Sequence, residues 1–123
     1  MTSRPEVVRV DDATFDAEVI RSPVPVVVDF YADWSAPCRS AEPALLELSS
    51  RLGGRVKFAK VNVDEATVVT RSFGIHSIPT FLFVASGMER GREVGPLDPA
   101  AMQAMLRRYF PARSASGGTP ATR

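Results

Sequence analysis

Apolar residues fall into blocks along the chain, and each block has its own period. Val26–Tyr31 (VVVDFY) is nearly continuous in apolar residues, which predicts a strand buried on both faces of a parallel or mixed sheet. Pro79–Ala85 (PTFLFVA) reads as another apolar strand, while Val56–Val63 (VKFAKVNV) alternates as a half-buried strand does. Glu6–Val10 is a short β-branched run and reads as an edge strand. Helical spacing lies between these runs. Asp11-Asp12 offers an N-cap, followed by Phe15, Val19 and Ile20 on one stripe. Ala41, Leu45, Leu48 and Leu52 predict an amphipathic helix over Ala41–Leu52, kinked at Pro43 and ended by Gly53-Gly54. Asp64 is the expected cap of a short helix over Glu65–Ser72, stopped at Gly74. Ser86-Gly87 makes a turn into a hairpin strand over Met88–Val94. Asp98-Pro99 starts a last helix with Met102, Met105, Leu106 and Tyr109 on its apolar stripe and Arg107-Arg108 at its C-terminal end.

The resulting order is β-α-β-α-β-α-β-β-α. Its βαβ units favour parallel pairing with right-handed crossovers, and the closing hairpin adds antiparallel strands. The expected fold class is therefore α/β, a central mixed β-sheet with helices on both faces.

Composition narrows the chemistry. A chain of 123 residues, 45% of them hydrophobic, suits one domain with a real core. Fifteen Lys and Arg against fourteen Asp and Glu leave a net charge of +1, which argues against a nucleic-acid binder. No run approaches the roughly eighteen apolar residues of a membrane span, and Met1–Glu6 leads into no apolar leader segment. Cys38 is the single cysteine, so no internal disulfide forms, and one Cys with one His (His76) cannot supply a four-ligand zinc site. A cytoplasmic protein without metal or other cofactor is the expectation. His76 reads as an ordinary loop residue. After a domain over residues 1–111, Ala112–Arg123 (ARSASGGTPATR) has no large apolar residue and is expected to be a disordered polar tail.

The informative stretch is Phe30–Arg39 (FYADWSAPCR), between a buried strand and a helix start, where open α/β sheets present their sites. Asp29, Trp34, Ala36, Pro37, Cys38 and Pro43 here, with Lys60 in AKVNVD, Ile78-Pro79-Thr80 and Val94-Gly95 downstream, make the chain resemble the thioredoxin family. The likeness runs in order over roughly residues 6–110. It implies a thioredoxin-like fold, a cis Ile78–Pro79 bond against the active-site loop, and protein-disulfide reductase activity. The implied partners of such a monomer are disulfide-containing proteins and a flavoprotein thioredoxin reductase. It implies that Asp29 exchanges protons with the second cysteine, Cys38, under the influence of Lys60. Trp34, Ala36, Pro37, Ile78, Pro79 and Gly95 are the implied substrate-binding surface.

One departure decides the chemistry. Ser35 stands where the family has its attacking cysteine. A helix N-terminus lowers a thiol's pKa enough to make a nucleophile. A serine hydroxyl there stays protonated, and no histidine in the motif activates it. Serine is instead a favoured N-cap, worth about 1 kcal/mol over alanine. Two origins account for it: an engineered Cys→Ser change that inactivates or traps, or a natural serine in a member that kept the fold and lost dithiol exchange. The resemblance implies that Cys38 is a shielded resolving thiol. Little or no dithiol turnover is expected. The alternative is a non-catalytic binding or co-chaperone module that uses the same surface, although such proteins carry helical repeats beyond the domain.

Overall fold

The computed structural model describes residues 7–111. Glu6 of the expected first strand and the polar tail lie outside the described residues. Strands β1 (Val8–Val10), β2 (Val26–Tyr31), β3 (Lys57–Asn62), β4 (Thr80–Ala85) and β5 (Met88–Val94) form one sheet in the order β1-β3-β2-β4-β5. β3 runs parallel to both β1 and β2, and β4 runs antiparallel to β2 and β5. The short first strand is an edge, and every residue of β2 is buried. The α/β class and the mixed sheet expected from the apolar runs are therefore what the chain adopts.

Helices α1 (Ala36–Leu52), α2 (Thr67–Ser72) and α3 (Pro99–Tyr109) split between the two faces. On one face Ala41, Leu45 and Leu48 of α1 and Met102 and Leu106 of α3 pack on Val27, Phe58, Phe81 and Phe83. On the other, Phe15, Val19, Ala66 and Val69 pack on Val26, Val28, Phe30, Ala59, Val61 and Leu82. The alternation along β2 sorts its residues between the faces, so Val27, Asp29 and Tyr31 all point toward α1. No helix among the described residues is long and apolar enough to cross a membrane.

Several expected boundaries move, each for a local reason. α1 begins at Ala36, five residues before the apolar stripe, because Ser35 caps it and Pro37 occupies its first turn. Pro43 lies inside it. The segment after Asp11 holds a π-helical turn at Asp16–Ile20, closed by the Arg21 amide donating to the Asp16 carbonyl at 2.9 Å. Asp64 does not cap α2, which starts later than expected. Asp12 caps it from a distant part of the chain, its carboxylate accepting from the Val69 amide at 2.8 Å and the Val68 amide at 3.3 Å. α2 ends at Ser72, and Gly74 at φ +63° turns the chain, as its position foretells. β4 opens at Thr80 and not at Pro79, which has no amide hydrogen for the ladder.

Gly91 on β5 marks a close approach. A Cβ there would fall within the ring of Tyr109, which packs on Phe83 and donates its hydroxyl to Glu93 at 2.7 Å. Gly91→Ala should therefore push α3 from the sheet and cost about 1–3 kcal/mol. Urea denaturation reads this directly, and an unchanged stability would contradict the contact.

Candidate functional site at the C-terminal ends of the parallel strands

The end of β2 passes through Ala32–Ser35 into α1, so this loop leaves the sheet where parallel strands end. Ser35 has extended backbone (φ −93°, ψ 116°), and its Oγ accepts from the Cys38 amide at 3.3 Å. That bond satisfies one of the orphan amides of the first helical turn. Ser35 is itself buried, and Cys38 is only 4% exposed on the inward face of α1. Trp34, by contrast, is 70% exposed, with its indole N–H donating to Asp64 at 2.9 Å. Asp64 thus fixes the ring edge of Trp34 instead of capping a helix. Ala36 and Pro37 are exposed beside it.

β4 begins at the same end of the sheet, since Phe30 pairs with Thr80. The Ile78–Pro79 bond is cis, Pro79 is buried and Ile78 half-buried. The Gly95 amide donates to the Pro79 carbonyl at 2.8 Å, which joins the loops after β5 and before β4. Gly95 has φ +103°, a conformation that suits glycine. His76 is exposed in the loop before Ile78.

Beneath the loop is a cavity of about 180 Å³ lined by Asp29, Asp33, Cys38, Arg39, Glu42 and Lys60, with Tyr31 and Ala32. Asp29 is 4% exposed, and its Oδ1 has no hydrogen-bond partner among the described residues. Burial pushes its pKa from 3.8 up to about 7, against the pull of the Lys60 ammonium and with the help of the Glu42 carboxylate. Lys60 sits opposite Asp29 in the β2–β3 register, but its Nζ donates to Glu42 Oε2 at 2.7 Å and lies 4.4 Å from the Tyr31 ring centroid.

The structure thus brings Asp29, Cys38 and Lys60 to one cavity, and Ser35 is tied to Cys38 by the amide hydrogen bond without lining it. It places Ile78, Pro79 and Gly95 together at the same end of the sheet. Three contributors escape a reading of the sequence alone. Glu42 follows Cys38 by four residues, hence on the same helix face. Tyr31 follows Asp29 by two, hence on the same strand face. Those two spacings were the available signals. Asp64 carries no local signal for its bond to Trp34, thirty positions away.

Comparison with known proteins agrees with this geometry. The family model described as Thioredoxin matches residues 6–108. Thioredoxin of Haemophilus influenzae is 35% identical over 105 residues, covering 85% of this chain and 98% of that protein. Thioredoxin 1 of a Nostoc species is 38% identical over 102 residues, covering 83% and 95%. Chloroplastic thioredoxin M-type of Pisum sativum is 38% identical over 105 residues, covering 85% and 61%. With the sheet order, the capped helix and the matched span in agreement, the chain belongs to the thioredoxin family.

Proposed function

We propose that this chain is a thioredoxin-type protein-disulfide oxidoreductase in scaffold and docking surface, with Ser35 at the attacking position and Cys38 at the resolving position, so that it binds disulfide-containing proteins and turns them over little or not at all. The observation that carries this is the occupation of the helix N-terminus. The atom held there is the Ser35 oxygen, already engaged by the Cys38 amide, and the one thiol is buried behind it. Disulfide exchange needs a thiolate to attack one sulfur of the substrate and expel the other, forming a mixed disulfide. The second thiolate then attacks that bond, closes the internal disulfide and releases the reduced substrate. A protonated hydroxyl cannot start the sequence, and no histidine lines the cavity to take its proton.

Asp29 fits the role of proton partner to Cys38. It shares the cavity with that residue, and a carboxyl with a pKa near 7 both gives and takes a proton at neutral pH. Lys60 modulates its charge from the adjoining strand. Trp34, Ala36, Pro37, Ile78, Pro79 and Gly95 form the docking surface for an extended substrate segment, and none of them depends on a second thiol. With one cysteine the chain forms no internal disulfide, so a thioredoxin reductase is a docking partner here and not an electron source. A cytoplasmic monomer completes the proposal.

Reduction of insulin by dithiothreitol tests it. The chain and its Cys38→Ala variant should give the same rate, close to that of dithiothreitol alone. Oxidised insulin should still change the fluorescence of Trp34, the sole tryptophan, and Ile78→Asp should abolish that change. A Cys38-dependent rate well above the dithiothreitol background would overturn the proposal.

A further inference from the structure

The charge of Asp29 depends on its neighbours, and their placement is unusual. Tyr31 and Asp33 follow it in the chain, α1 presents Cys38, Arg39 and Glu42, and β3 presents Lys60. Its β4 partner is the uncharged Phe81. Two of these groups are cations. Arg39 turns away and donates to the Asp33 carbonyl at 2.8 Å. Lys60 is directly opposite Asp29 in register and is the natural counter-ion for a buried carboxylate. Yet its ammonium is held at 2.7 Å by the Glu42 carboxylate and rests on the Tyr31 ring, while Asp29 Oδ1 has no hydrogen-bond partner among the described residues.

We propose that Glu42 is a positioning residue that sequesters the Lys60 ammonium and so keeps Asp29 a neutral acid, able to give a proton beside Cys38. A closed ion pair acts on a third group as a dipole, and its field falls off faster than that of a lone cation. Burial then decides the protonation of Asp29, in keeping with its raised pKa. Without Glu42, the flexible stem of Lys60 lets its ammonium swing to the orphaned Asp29 oxygen. Asp29 would ionise at lower pH and oppose formation of a Cys38 thiolate. The consequence for Cys38 rests on the proposed exchange chemistry; the hold on Lys60 rests on geometry alone.

The test is the titration of the Asp29 side-chain carboxyl carbon by 13C NMR in the full chain, with the signal assigned by its loss in Asp29→Asn. Glu42→Ala should lower the midpoint by about one pH unit, the low end of what a nearby charge does. In a Lys60→Met background the same substitution should move it by less than half as much, because no ammonium is left to release. An unmoved midpoint, or equal shifts in both backgrounds, would overturn the proposal. Glu42 is half-exposed on its helix, so the alanine variant should fold. A merely structural role would alter the melting temperature and leave the midpoint in place. Catalysis of insulin reduction would defeat the assignment of Ser35 without touching this titration, and an unmoved midpoint would leave that assignment intact.

Discussion

At pH 8, Asp29→Asn should stabilise the protein by roughly 2–4 kcal/mol, whereas at pH 4 it should change stability little. The cause is the cost of holding a carboxylate in the apolar layer between β2 and α1. In the unfolded chain Asp29 loses its proton near its ordinary pKa of 3.8, and in the folded protein near 7. Between those values the folded state binds the extra proton, so stability declines as pH rises through the window. Above it the loss is complete, and below it both states are protonated and the loss vanishes. A separation of about three units corresponds to about 4 kcal/mol at most. Asparagine cannot ionise, but its amide would also find no partner among the described residues at the Oδ1 position, which sets the lower end of the range. Urea denaturation of both proteins across pH 4–8 reads the difference. A pH-independent gap between them would mean that Asp29 is not the group responsible.

Much of this cluster is legible in the sequence. An acid inside VVVDFY has apolar neighbours on both sides, which by itself marks Asp29 as buried. Val26–Tyr31 and Met88–Val94 match their observed strands end for end, and their starts are marked by Pro25 and by the Ser86-Gly87 turn. The start of α1 was hidden from periodicity, since Ala36, Pro37, Arg39 and Ser40 are exposed and carry no apolar stripe. Asp64 is close in sequence to the start of α2, but the cap comes from Asp12, which reaches it across the fold and leaves no local signal. Lys60 was recognisable through its motif. Its partner was not, because an ion pair between a helix and a strand eighteen positions apart has no local signature.

Ser35→Cys should produce the largest gain in activity, at least about a hundredfold in insulin-disulfide reduction, because on the proposed reading it supplies the attacking thiol at a capped helix N-terminus. Oγ and Sγ occupy nearly the same place, so the Cys38 amide that now meets the serine oxygen would face a thiolate sulfur instead. The charged form is favoured there by the helix dipole. Buried Asp29 already lines the cavity beneath that loop together with Cys38. The variant also acquires a cysteine pair at positions 35 and 38, which a reductase could cycle. The decisive measurement is the initial rate of insulin precipitation with dithiothreitol for the chain and for Ser35→Cys, side by side. A rate at background for the chain and a large gain for the variant is the predicted result; equal rates would contradict the assignment of Ser35 to the attacking position.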